Sequence, residues 1–285
     1  MRICIFGAGA VGSHFAVRLA RAGHEVSCVM RDPHLDAVRA NGLTLKVGDS
    51  SVTARVRASA DPAELGPQDV VISTLKATGV SALATGLLPL LERDTAIVFA
   101  QNGIPWWYPL GQPEPLGSYR LKSVDPDGTL WRAIPADRLV GSVAWVSVEG
   151  DGAGRIRHVD DQRFVFGDPL GRRTAAVEGV VELFSLAGFQ ARGSLDIRSD
   201  IWTKLWGNLA FNPLSALTGA TMGALCVDPG TRTVARTLME EARAVAERLG
   251  VRFTADIEAR IAAAAARTGI GLTLLPVHYQ FGGCD

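Results

Sequence analysis

Residues 2–6 form a run of strand length, apolar without a break from Ile3 to Phe6, and the glycine-rich run Gly7-Ala8-Gly9-Ala10-Val11-Gly12 follows at once. The period then becomes helical: Val11, Phe15, Leu19 and Ala22 recur at i, i+4, i+8 and i+11, the spacing of one helix face. Gly23 closes that helix, and residues 25–30 read as a second strand. Further strands are predicted at 70–74 and 96–100, with a helix over about 80–91 between them. Strands alternating with helices build a doubly wound parallel sheet. Residues 105–137 hold six prolines and three glycines and predict a long irregular loop, a candidate lid. Short strands over 139–148, 155–159 and 163–166 close the first domain. The run Asp168-Pro169-Leu170-Gly171 reads as a linker and divides the chain into domains 1–168 and 169–285. Beyond it the pattern is helical, over 174–187, 201–211, 231–249 and 256–266.

Composition agrees and removes several classes. A chain of 285 residues, 47% hydrophobic and 20% charged, is globular, with length for about two domains. Twenty-nine Lys and Arg balance twenty-nine Asp and Glu, so charge points to neither nucleic acid nor an anionic membrane. The uncharged stretch 205–227 is interrupted by Asn208, Asn212, Pro213 and three glycines, which argues against a membrane-spanning helix. The opening MRICIFGAG lacks the pattern of a signal peptide, so a cytoplasmic location is expected. Cys4, Cys28, Cys226 and Cys284 show no CxxC spacing; no metal site is expected, and Cys4 and Cys28 read as reduced packing residues.

Strand, glycine-rich turn, helix and strand within about thirty residues form the context that gives a GxGxxG pattern meaning. Glycines at 7, 9 and 12 allow a tight turn, backbone approach to a pyrophosphate and close packing of helix on sheet, while the helix N-terminus attracts the phosphates. The pattern predicts a Rossmann-type dinucleotide site over Gly7, Ala8, Gly9, Ala10, Val11 and Gly12. The tip of the second strand selects the cofactor. Arg31 there suits the 2′-phosphate of NADP(H), whereas a one-residue shift in register would put Asp32 on a ribose 2′-hydroxyl and favour NAD. Lys76 and Asn102 close later strands and are either ligand contacts or, for Asn102 before Gly103, a plain turn.

In the second domain, Trp202, Leu205, Trp206, Leu209 and Phe211 make the 201–211 helix mostly apolar. Lys204, Asn208 and Asn212 recur every four residues and form a polar stripe about 80° wide. Such a stripe lines a wet cleft or is a solvated outer face. On the 231–249 helix, Val234, Leu238, Val245 and Leu249 mark an apolar face and Glu241 is expected to point with them. A glutamate there has either an arginine partner or a function.

These residues resemble the ketopantoate reductases, also called 2-dehydropantoate 2-reductases. The resemblance is carried by GAGAVG with Arg31 in MRDPH, Thr74-Leu75-Lys76, Asn102-Gly103, Leu139-Val140-Gly141-Ser142, and KLxxNxxxNP from Lys204 to Pro213. It runs from residue 1 to about 266. It implies a Rossmann domain and an all-helical domain, with NADP(H) and a small 2-oxo acid bound in the cleft between them, ketopantoate being the default in pantothenate biosynthesis. By position Lys204 becomes the general acid, Asn208 and Asn212 contact the substrate, and Glu241 falls where the family keeps a glutamate of the catalytic helix. Lys76 and Asn102 line the nicotinamide end, Asn102 near the substrate as well. A homodimer is a further expectation. Three departures stand out: Met222 in place of an asparagine, the Trp106-Trp107-Tyr108 run, and a tail reading IGLTLLPVHYQFGGCD where the family has a Ser motif, a Glu and further helices. The helical domain thus reads as cut short. Two alternatives arise from these departures: a bulkier or aromatic 2-oxo acid, suggested by Trp106, Trp107 and Met222, or an NADP-binding protein with little catalysis.

Overall fold

The structure, a computed structural model, describes residues 1–266. The chain opens with β1 (Arg2–Phe6), α1 (Ala10–Arg21), β2 (Glu25–Val29), α2 (His34–Asn41), β3 (Leu43–Val47), β4 (Ser50–Ala54) and β5 (Arg57–Ser59). It continues through β6 (Gln68–Ser73), α3 (Val80–Gly86), β7 (Leu91–Phe99), α4 (Thr129–Ala133), β8 (Leu139–Gly150) and β9 (Arg155–Gly167). The remaining elements are α5 (Ala175–Leu186), β10 (Gln190–Ser194), α6 (Ile197–Thr218), α7 (Met222–Val227), α8 (Pro229–Arg248) and α9 (Ile257–Ala265).

The ten strands form one sheet in the order β4-β3-β9-β8-β7-β6-β1-β2-β5, with β10 paired to β9. From β5 to β8 every pairing is parallel. From β1 the chain leads out to β2 on one side and later returns to β6 on the other, so the winding direction reverses between β1 and β6. Ligands of open α/β sheets bind at such a switch point, beyond the strands' carboxyl ends. Ile3, Cys4, Ile5, Val71, Ile72, Ile97 and Val98 are all fully buried. Strands covered on both faces read as continuous apolar runs, which is why β1, β6 and the end of β7 are legible in the sequence. The Cys4 thiol is pushed up to about 12 by burial, as suits an inert packing residue.

The chain divides into two compact units, Met1–Ile197 and the residues from Arg198 onward. The first therefore extends past the expected boundary at 168. Its α5 buries Val180, Leu183 and Phe184, with the Phe184 ring 4.7 Å from Phe166 and 5.2 Å from Phe15. The strand β10 pairs with β9 from Gln190↔Arg163 to Ser194↔Gly167. The Asp-Pro-Leu-Gly turn reads like a linker, yet its Asp168 is buried, and α5 and β10 on its far side complete the same core. Two of the three expected short strands merge into the long β9, which pairs with β8 antiparallel across register shifts near Ser147. The segment 34–67, where the sequence pattern predicts no element, contributes α2, β3, β4 and β5.

Residues 105–137 carry only α4 and single turns, as the prolines predict, but their first part is no free flap. Trp106, Trp107 and Tyr108 are 2%, 1% and 3% exposed. Trp106 packs edge-on against Phe99 and Trp131, and Trp107 covers Gly141, where an added Cβ would come within 2.5 Å of its ring. Large aromatic surfaces gain most from burial, and here they fill the space beyond the end of β7.

In the second unit, α6 runs through Pro213 to Thr218 rather than stopping before it. Proline removes one N–H from the ladder and bends a helix, but packed neighbours on either side hold the axis. Here Ala210, Phe211 and Leu214 are buried against Leu225, Cys226, Ala235, Met239, Ile257 and Ile261.

Candidate active site

The three glycines of the first loop stand in three different settings. Gly7 has φ +94°, a backbone conformation that disfavours side chains, and an added Cβ would lie 2.5 Å from Leu75 Cδ2. At Gly12 a Cβ would lie 2.5 Å from Thr74 Oγ1 and 2.9 Å from the Gly7 carbonyl oxygen. Gly9 is different. Its φ of −72° is open to any residue, and an added Cβ would meet nothing within 4 Å. Neither strain nor packing asks for glycine there. What a side chain at this exposed position would obstruct is a ligand approaching the backbone.

Beside Gly9, α1 begins. Ser13 N–H donates to the Gly9 carbonyl at 2.8 Å and is the first helical donor, so the amides of Ala10, Val11 and Gly12 before it have no helical acceptor. Unpaired amides at the positive end of a helix dipole suit a pyrophosphate. The residues present therefore fit a dinucleotide.

The other expected cofactor residues lie just past the carboxyl ends of β2, β6 and β7, which with β1 run β2-β1-β6-β7 in the sheet, so Arg31, the glycine loop, Lys76 and Asn102 follow one another along the carboxyl ends of these strands. Arg31 is exposed and forms no ion pair among the described residues. Lys76 is exposed, and its carbonyl accepts from Gly79 N–H at 2.8 Å. Asn102 is exposed and precedes Gly103, whose φ of +87° fits a turn. In the sequence Thr74 is only one member of a motif. In the fold its hydroxyl donates to the Gly7 carbonyl at 2.6 Å.

In the second unit α6 presents the polar stripe. Lys204, Asn208 and Asn212 are all half-buried, neither core nor fully solvated. The helix is set in place by Trp206, whose Nε1 donates to the Met239 carbonyl at 3.0 Å and whose ring stacks on Phe253 at 3.9 Å. Glu241 does not share a buried face. The residues of α8 that pack inward are Ala235, Met239 and Ala246, with Ala242 half-buried, while Val234 and Val245 are 47% and 53% exposed. Glu241 lies about 120° around the helix from that face and is exposed. Small alanines let α8 approach its neighbours closely, a signal that weighting by hydrophobic size overlooks.

The sequence matches the family model for ketopantoate reductase PanE/ApbA over residues 3–171 and the C-terminal model of the same family over residues 196–270. The chain belongs to the ketopantoate reductase family. A 2-dehydropantoate 2-reductase of Mesorhizobium japonicum is 48% identical over 262 residues, which cover 92% of this chain and 80% of that protein. Among solved structures, a Ralstonia solanacearum MolK2 protein assigned as a ketopantoate reductase superposes with a TM-score of 0.88 at 40% identity, over 93% of this chain and 82% of the other. A 2-dehydropantoate 2-reductase from Geobacter metallireducens gives 0.84 at 27% identity, over 100% and 89%. A D-mandelate dehydrogenase with NADH and anilino(oxo)acetate shares the fold, with a TM-score of 0.78 at 20% identity over 93% and 79%. The ketopantoate reductases are oxidoreductases acting on a C=O/CH–OH pair with NADPH. Among the described residues no helix is long and apolar enough to cross a membrane. The atypical tail over 270–285 and its expected consequences lie outside the described residues.

Proposed function

We propose that this protein reduces a 2-oxo acid with NADPH, with ketopantoate, which yields pantoate, as its substrate. Gly9 carries the reading, since it opens α1 at the switch point of the sheet and leaves the backbone there bare for a docking pyrophosphate. The amides of residues 10–12 hold the pyrophosphate and Arg31 takes the 2′-phosphate through its guanidinium fork. Lys76 and Asn102 belong to the nicotinamide end, with Asn102 near the substrate.

NADPH, when bound, supplies the hydride that reaches the carbonyl carbon. Lys204 holds a proton at Nζ, donates a hydrogen bond to the ketone oxygen, and gives up that proton as the oxygen gains charge. A fixed ammonium stabilises a developing alkoxide most where water is partly excluded, which suits its half-buried setting. Asn208 and Asn212, one and two turns along the same stripe, hold the substrate's hydroxyl and carboxylate. Glu241, on the exposed face of α8, is assigned no step.

The reading with a bulkier 2-oxo acid loses its main support, because Trp106 and Trp107 are spent in the core; Met222, half-buried on α7, is what remains of it. Oxidation of NADPH followed against a panel of 2-oxo acids tests the proposal. Turnover with ketopantoate ahead of larger acids is expected. Preference for an aromatic acid would refute the substrate, and cofactor binding without turnover on any acid would refute the catalysis.

A further inference from the structure

We propose that Thr74 is a positioning residue for the cofactor loop, acting through its hydroxyl on the Gly7 peptide; this rests on the dinucleotide reading above. Thr74 follows β6 directly across the switch point from the end of β1. Its N–H donates to the Phe6 carbonyl at 3.0 Å and extends the β1–β6 ladder past the last paired residues, Phe6↔Ser73. Its Oγ1 then donates to the Gly7 carbonyl at 2.6 Å. On the opposite flank the N–H groups of Gly7 and Ala8 both donate to the Val29 carbonyl, at 3.0 and 3.2 Å. The first peptides of the loop are thus clamped between β2 and the end of β6.

The consequence concerns where the carbonyls point. Gly7 O accepts from Thr74 Oγ1 and from Gly9 N–H at 2.7 Å, Ala8 O accepts from Ser13 Oγ at 3.0 Å, and Gly9 O accepts from Ser13 N–H. Each of these three oxygens is bonded within the protein, so none is left to repel a phosphate, and the amides of residues 10–12 are the groups presented. Thr74 also occupies the volume that any side chain at position 12 would need. The glycine at 12 and the hydroxyl at 74 are therefore two halves of one close contact, separated by more than sixty residues of chain.

The test compares Thr74→Val with Thr74→Ser in the full chain. Valine keeps the shape but replaces the donor by a methyl group, which cannot sit 2.6 Å from an oxygen. Calorimetric titration should show NADPH affinity lowered about tenfold or more in Thr74→Val and kept within about threefold in Thr74→Ser. With saturating NADPH, kcat should stay within about threefold, and binding of 2′-AMP, which lacks the pyrophosphate, should be unchanged in both. Thr74→Ala removes the hydroxyl without adding bulk against Gly7 and repeats the test should the valine variant not fold. Wild-type NADPH affinity in Thr74→Val or Thr74→Ala, equal loss in Thr74→Ser, or a parallel loss of 2′-AMP binding would each overturn the proposal. Failure of the wild-type chain itself to bind NADPH would instead overturn the dinucleotide reading on which it rests.

Discussion

His14 of α1 makes the stability of the cofactor-binding unit depend on pH. It is fully buried, with its ring 5.1 Å from that of His158 on β9 and 5.2 Å from that of Phe189. Neither ring nitrogen has a hydrogen-bond partner among the described residues. Burial first, then the neighbouring His158 and Arg18, hold its pKa down at about 3 instead of the ordinary 6.5. The folded protein therefore keeps His14 neutral where the unfolded chain would protonate it. The unfolded state binds more protons between those two values, so the contribution to stability is complete above about pH 6.5 and is lost as the pH falls towards 3. At pH 5 the loss is about 2 kcal/mol, one and a half pH units at 1.36 kcal/mol each. Replacing His14 by Leu removes the titrating group and two unpaired polar atoms, so the variant should be at least as stable as wild type at pH 8. Urea unfolding at pH 8 and pH 5 measures the difference. The wild type should lose about 2 kcal/mol more than His14→Leu over that interval. Titrating groups away from His14 contribute to both proteins and drop out of the comparison. Equal losses in the two proteins would show that His14 is hydrated or partnered in the fold and would refute the reasoning.

Three further outcomes concern the site. Arg31→Ala should weaken NADPH binding by roughly 2–4 kcal/mol and leave NADH nearly untouched, as titration of each cofactor would show; equal losses would make Arg31 structural. Lys204→Ala should lower kcat by about 10²–10⁴-fold with NADPH affinity retained, and an enzyme keeping more than about a third of its turnover would remove the proton-donor role. Glu241→Gln should leave steady-state kcat within about threefold, because the exposed face of α8 gives its carboxylate no part in the reaction; a drop of about a hundredfold would restore the catalytic role that the sequence suggested.

The glycine loop was legible because it is local. A buried strand, its glycine turn and the helix after it fall within the first two dozen residues, and Gly7 and Gly12 stand where backbone conformation and close packing need them. The stripe of Lys204, Asn208 and Asn212 was legible for the same reason, since one helix sets the spacing of all three. Where the interaction is distant, the pattern misled. Val234 and Val245 outweigh alanines on any hydrophobic scale, yet Ala235 and Ala246 are fully buried, because close helix packing selects for small size. Trp106 and Trp107 suggest a bulkier or aromatic substrate in the sequence, yet in the fold β7, α4 and Gly141 close around them. A linker-like turn after β9 concealed that α5 and β10 return to the same sheet.

Local patterns therefore determined the opening strand, glycine turn and helix and the polar stripe of α6, through propensities and spacings set within a turn or a strand. Tertiary structure alone decided which face of α8 is inside, where the first unit ends, and that Thr74 holds Gly7. Those outcomes depend on residues far apart in the chain competing for the same space, and no periodicity along the sequence records which of them wins.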